Sequence, residues 1–144
     1  MFIFACGSGL SFCDCMALKQ ADFVEKDGKL CIFKERKKTG IKFYSVLLPW
    51  AVDIYKKYGG DFSSIKISNQ KTNSYLGEIK DICGIDKHLH FHLARHFYGM
   101  YMLNNKVPLT TVSKLLGHSN TTQTQHYAKA LETTILDDVS KVIG

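Results

Sequence analysis

ADFVEKDGKLCIFKERKKTGIKFYSVLLP, residues 21–49, decides whether this chain is all helix or a mixture of helix and sheet. Its Val, Ile, Phe and Tyr fall in three runs, parted by two turn signals, Asp27-Gly28 and Thr39-Gly40. Asp-Gly between such runs marks a hairpin, because glycine reaches the positive φ that a tight turn demands. The spacing predicts three antiparallel strands near residues 20–25, 29–35 and 42–48. Pro49 ends the third and opens a helix, PWAVDIYKKYG, which Gly59-Gly60 stops.

Outside this stretch the signals are helical. MFIFACGSGL lacks the basic start of a signal peptide, and its apolar run is too short to span a bilayer. It reads as the last turns of a core helix, with an upstream part expected beyond it. Residues 11–18 form a short helix, with Phe12, Cys15 and Met16 sharing a face. Residues 61–68 are a loop with room for one short strand. Ser68 or Asn69 caps a helix that runs to about Cys83 and ends at Gly84. Residues 85–91 look irregular. Helices are expected from His92 to Leu103, from Pro108 to Gly117, and in a short piece around residues 120–130. Leu131, Ile135, Val139 and Val142 keep helical spacing, so a last amphipathic helix is expected over 130–143. The fold class is α+β, mostly helical with a small three-stranded antiparallel sheet, in one domain over residues 1–144.

The net charge is +6 and the pI about 9.0, which tilts the expected partner toward a polyanion. Nearly all the basic excess is lysine. Arg36 and Arg95 are the two arginines, so an anion gripped by a planar fork has two candidates. The five cysteines (6, 13, 15, 31, 83) are odd in number and contain no CxxC pair. They read as reduced, mostly buried thiols of a cytosolic protein.

HLHFHLARHFYG, residues 88–99, crowds four of the six histidines around Arg95. His92 and His96, four apart, could meet on a helix face as metal ligands. A zincin pattern needs a glutamate after the first histidine, and Leu93 stands there. No acidic residue lies between Asp86 and Glu132, so no metal is expected. Any one of these histidines, taken alone, is most simply a packing or surface residue. As an anion site the stretch is coherent. His92 and Arg95 project to neighbouring points of one face, a guanidinium beside an imidazole, near a helix start with free N–H groups.

A second stretch, KLLGHSNTTQTQHYAK, puts His118 just after a helix-stopping glycine and Tyr127 nine residues on. With these boxes the chain resembles the tyrosine recombinases, or phage-type integrases. The family's H-x-x-R is matched by His92-Leu93-Ala94-Arg95, with His96 next. Its L-L-G-H is matched by Leu115-Leu116-Gly117-His118, and its nucleophilic tyrosine by Tyr127. RKKTG, residues 36–40, resembles its lysine hairpin and points to Lys38, with Lys37 and Lys34 as competitors. GSGLSFCDCMALKQADF resembles the family's first box, roughly T-G-x-R-x-S/G-E-x-x-x-L-x-W-x-D. One departure stands out: the first arginine of that box falls on Ser11. Variation here resembles that of Bacteroidetes mobile-element integrases.

The resemblance covers essentially the whole chain and implies a catalytic domain, with a separate DNA-clamping domain elsewhere in the protein. It implies cleavage and rejoining of double-stranded DNA through a phosphotyrosyl bond, with no cofactor, metal or ATP. Tyr127 would be the nucleophile and Arg95 the phosphate clamp. His118 and His92 would contact phosphate or aid proton transfer, and Lys38 would protonate the leaving 5′ oxygen. His96 is expected to buttress the site. Arg36 and Lys37 are candidate DNA contacts and, with an upstream residue, candidates to replace the charge missing at Ser11. The family works as a synaptic tetramer, with accessory DNA-bending or directionality proteins. A nucleoid-associated bacterial protein off the membrane is implied. A type IB topoisomerase and a catalytically dead DNA-binding relic are the alternatives.

Overall fold

The computed structural model describes residues 1–36, 38–118, 122–127, 139 and 142. Two short helices, α1 (Phe2–Cys6) and α2 (Phe12–Met16), lead into strands β1 (Phe23–Lys26), β2 (Lys29–Glu35) and β3 (Lys42–Val46). Helices α3 (Pro49–Tyr58), α4 (Asn69–Ile82), α5 (His92–Asn104) and α6 (Leu109–Leu115) follow, and residues 122–127 are helical. The sheet is antiparallel in the order β1-β2-β3, so the class is the expected α+β. Lys37 and the helix expected over 130–143 lie outside the described residues, apart from positions 139 and 142.

The two turns form where their residues allow it. Asp27 and Gly28 both have positive φ, 51° and 71°, the geometry of a two-residue hairpin whose twist matches its strands. The turn after β2 is closed by Arg36 N–H to Ile41 O at 2.8 Å and Gly40 N–H to Arg36 O at 2.8 Å. Arg36 thereby sits on the rigid end of the hairpin and Lys38 on its tip.

The first strand starts three residues later than its composition indicates. Gln20–Asp22 form a 3-10 turn instead. The Asp22 carboxylate accepts the Lys19 N–H at 2.8 Å and pairs with Lys34 Nζ at 2.7 Å. That local capping outcompetes a ladder position, the usual effect of Asp beside the backbone. The third strand stops at Val46 because Leu48 is spent as the N-cap of α3, its N–H bonded to Gly7 O at 2.8 Å. Residues 61–68 contain no strand. Ser68 caps α4, accepting the Lys71 N–H at 3.1 Å. All five cysteines are free, but the expected burial holds for Cys15 and Cys31 alone; Cys13 and Cys83 are exposed and Cys6 is intermediate.

Two apolar clusters build the interior. Phe4, Leu10, Ile32, Phe43, Ala51, Phe91 and Ala94 belong to the larger one. Tyr98, Met102, Val112, Leu116 and Tyr127 form the other. Helix α5 contributes to both, Ala94 to the first and Tyr98 to the second. Arg95 therefore lies at their junction. The Tyr98 ring is fully buried, and its hydroxyl donates to Val46 O at 2.9 Å, which ties α5 to the sheet.

Gly9 marks a close approach. Its φ is 70°, and a Cβ there would sit 2.6 Å from the Tyr98 ring. Gly9→Ala adds left-handed strain to a steric overlap in the core. It should lower the unfolding free energy by about 2–4 kcal/mol, read by urea denaturation. A change under 0.5 kcal/mol, well below that estimate, would show that the junction yields at little cost.

Candidate active site

The first turn of α5 carries the densest chemistry of the chain. His92, Arg95 and His96 all face one open cleft of about 420 Å³. Lys38 reaches the same cleft from the hairpin tip, Arg36 from the hairpin base, His118 from just past α6, and Tyr127 from residues 122–127. Seven residues from three separate stretches of the sequence thus converge. Lys37 lies outside the described residues. His126, to which no motif gives a role, also lines the cleft.

Arg95 is the centre of the arrangement. It is 5% exposed. One guanidinium nitrogen donates to Gly9 O at 2.8 Å and the other terminal nitrogen to Leu116 O. Both acceptors are neutral. Among the described residues the ion pairs are Lys34–Asp22, Arg36–Asp14 and Lys80–Asp81, and Arg95 joins none of them. Burial, then the neighbouring Arg36, pushes its pKa down to about 10, so the group remains a cation at neutral pH. A buried cation held, among the described residues, by neutral carbonyls keeps its charge for an anion to meet.

His118 follows Gly117, whose φ of 60° turns the chain out of α6. Its Nδ1 is 2.7 Å from the hydroxyl of the fully buried Thr124, leaving Nε2 for a ligand. Burial, then Arg95 and Arg36, lower its pKa to about 4. His92 and His96 are lowered as well, chiefly by burial and then by cationic neighbours. The imidazoles are therefore neutral at pH 7 in the free protein. The rings of His92 and His96 meet edge to face at 4.5 Å.

Tyr127 is largely buried, and a Cβ at Gly99 would lie 3.5 Å from its ring. Its hydroxyl lies 2.7 Å from His96 Nδ1. Burial raises its pKa, and Arg95 acts against that rise.

Ser11 does not face the cleft as a vacancy. It caps α2, accepting the Asp14 N–H at 3.3 Å and donating to Asp14 Oδ2 at 2.6 Å. Asp14 is 2% exposed, and its Oδ2 is 3.5 Å from Arg36 Nε. The Arg36 stem lies against Gly117, where a Cβ would come within 3.0 Å of Arg36 Cδ. A guanidinium from the hairpin is thus moored between α2 and the turn before His118. Sequence reading missed Asp14 and Thr124. The acidic position of the first box, which falls on Asp14, was the available signal for one; nothing in the pattern marked the other.

Among the described residues no cluster of three or more His, Cys, Asp or Glu could hold a metal ion, and no helix is long and apolar enough to cross a membrane.

Residues 1–133 match the model of the Phage integrase family, and the chain belongs to that family. Tyrosine recombinase XerC of Bacillus licheniformis is 30% identical over 88% of this chain and 46% of its own length. A tyrosine recombinase of Pseudothermotoga lettingae is 31% identical over 56% of this chain and 28% of its own. This chain spans less than half the length of either relative. Among solved structures, XerH site-specific recombinase bound to palindromic difH substrate, a post-cleavage complex, superposes with a TM-score of 0.73 at 15% identity, over 96% of this chain and 44% of that one. The XerA recombinase gives 0.71 at 18% identity, over 93% and 55%.

A histidine whose folded pKa is depressed contributes stability that is complete above its unfolded value and lost as pH falls toward its folded one. For His118 that window runs from about 6.5 down to about 4. The thermal midpoint should fall across it, and His118→Gln should make the fall shallower. An equally steep fall in the variant would assign the acid sensitivity to other groups.

Proposed function

We propose that the protein is a site-specific DNA recombinase that cleaves and rejoins strands through Tyr127. The observation that carries this is the convergence on one cleft of a tyrosine hydroxyl, a buried arginine that joins no ion pair among the described residues, four histidines and a hairpin lysine. The family membership and the XerC likeness support the reading, as does the Tn1549 transposon integrase, solved with circular intermediate DNA, at a TM-score of 0.63. The chain supplies the catalytic domain, acting beside a DNA-clamping domain of the same protein. Its work is insertion or excision of a mobile element in a synaptic assembly on double-stranded DNA.

The chemistry follows from the groups. The phosphodiester is anionic and repels a nucleophile until its non-bridging oxygens are neutralised. Arg95 provides a fixed cation, and His118 Nε2 and His92 provide neutral donors. The Tyr127 oxygen attacks phosphorus and forms the 3′ phosphotyrosyl bond. The 5′ oxygen departs with a proton from Lys38, whose place on a hairpin tip lets it close over DNA. Attack by a 5′ hydroxyl of another strand reverses the step. The ester bond conserves the energy of the broken phosphodiester, so no nucleotide cofactor enters.

Arg36 takes the charge that the first box lacks at Ser11. It reaches the cleft from the hairpin, and Asp14 and Gly117 hold its stem and Nε side in place. Lys37 remains a candidate DNA contact.

Full-length protein incubated with a pool of nicked random-sequence duplexes should yield a covalent adduct resistant to denaturation and to EDTA. Tyr127→Phe should bind the same duplexes and give no adduct; an adduct in that variant removes the assignment. Arg36→Ala should slow single-turnover cleavage about 100- to 1,000-fold, the usual cost of one preorganised donor, whereas a loss under fivefold would place the second cation elsewhere. Relaxation of supercoiled plasmid without sequence preference would favour a topoisomerase. DNA affinity should drop steeply with salt through counterion release.

A further inference from the structure

The nucleophile of this site has a partner that the strand-transfer roles leave unused. Tyr127 Oη is 2.7 Å from His96 Nδ1, with the ring centroids 5.5 Å apart. That is within proton-transfer reach. A phenol whose ordinary pKa is near 10 is almost wholly protonated at neutral pH, and burial of Tyr127 raises it further. The hydroxyl needs somewhere to send its proton as it attacks.

We infer that His96 is the proton acceptor for Tyr127. As Oη forms its bond to phosphorus, the O–H bond breaks and Nδ1 takes the proton. The departing 5′ oxygen is protonated separately, by Lys38. On rejoining, the 5′ hydroxyl attacks, the Tyr127–phosphorus bond breaks, and the His96 imidazolium returns the proton to the phenolate. The assignment rests on the strand-transfer reading and adds a residue to it.

The charges around His96 make the device conditional on substrate. His92 and Arg95 face it from its own helix, His90 from the segment before, Lys38 and Arg36 from the hairpin, His118 from beyond α6, and His126 and Tyr127 from residues 122–127. Among the described residues lining the cleft there is no carboxylate. In the free protein burial, and then this cationic surround, keeps the imidazole neutral, so a nitrogen lone pair is available. It also leaves the imidazole a weak base, so Tyr127 keeps its proton and stays inert. A scissile phosphate brings negative charge into the same cleft and offsets the cations. The affinity of His96 for a proton then rises at the moment the proton must move. His118 cannot serve in its place through Nδ1, which Thr124 occupies.

The test uses full-length protein and a nicked suicide duplex whose sequence is recovered from a random pool as a covalent adduct of the wild type. His96→Ala and His96→Asn are compared, with folding checked by circular dichroism. The Asn side chain can accept a hydrogen bond from Tyr127 but takes no proton, which separates positioning from proton acceptance. Both variants should bind the duplex normally and cleave about 100-fold more slowly at pH 7. Their rates should climb with pH toward the ionisation of the phenol, where the wild type is flat. Added imidazole should rescue His96→Ala. A 5′-bridging phosphorothiolate, whose thiolate leaves without a proton, should restore Lys38→Ala and leave the His96 defect in place. His96→Asn cleaving within twofold of wild type, with a flat pH profile, would overturn the inference while the strand-transfer reading stands. A wild type that yields no adduct with any duplex overturns both.

Discussion

The site depends on a buried guanidinium that, among the described residues, joins no ion pair. Removing a cation from water costs several kcal/mol even after relaxation, and proteins commonly offset this with a carboxylate. Here Arg95 receives two main-chain carbonyls, from Gly9 and Leu116. Those carbonyls come from the loop between α1 and α2 and from the end of α6, so a single side chain fastens two segments to α5. The carbonyls fix its orientation without cancelling its charge. On the proposed function, a scissile phosphate in the cleft would supply the anion that Arg95 lacks among the described residues, and the desolvation already incurred would become binding energy for it.

The rest of the cleft obeys the same constraint. Further full charges near Arg95 would repel it, and the lowered pKa values of His92, His96 and His118 show how the site avoids that. Three imidazoles supply donors and lone pairs while remaining uncharged. Arg36 is tolerated because Asp14 lies 3.5 Å from its Nε and draws off part of the repulsion. Asp14 is itself held by Ser11, whose hydroxyl donates to it at 2.6 Å. The serine in place of a first-box arginine is therefore one end of a chain that reaches the clamp: Ser11 to Asp14 to Arg36.

Much of this was legible in the sequence, and the limits have physical reasons. The hairpins announced themselves through Asp27-Gly28 and Thr39-Gly40, because positive φ leaves a compositional mark. The pairing of His92 with Arg95 followed from helix periodicity, whereas His118 and Tyr127 were joined to it by the resemblance to the tyrosine recombinases; the structure brings all four to one cleft. The start of β1 was misjudged because Asp22 chose a local cap over the ladder, a competition of small energies that composition cannot rank. The burial of Cys13 and Cys83 was overestimated because hydrophobicity of a residue type does not say which face of its helix meets the core. Thr124 and the carbonyls that hold Arg95 carry no pattern at all, as main-chain acceptors belong to every residue. The contact of His96 with Tyr127 depends on two segments thirty-one positions apart and appears only with tertiary structure.

On the proposed roles, carrying the second cation on Arg36 rather than at Ser11, the N-cap of α2, changes what the hairpin does. Arg36 belongs to the same turn as Lys38, the proposed general acid, two residues away. The main-chain bonds of Arg36 to Ile41 and Gly40 anchor the base of that turn, while Lys38 occupies its tip. In the proposed reaction any motion of the hairpin toward or away from DNA would therefore shift phosphate neutralisation and leaving-group protonation together. With the two functions on separate elements, a phosphate could be activated while the acid was still out of reach. With both on one hairpin, docking of the turn would commit them jointly, and Tyr127 would meet a neutralised phosphate only when its leaving group could also be protonated.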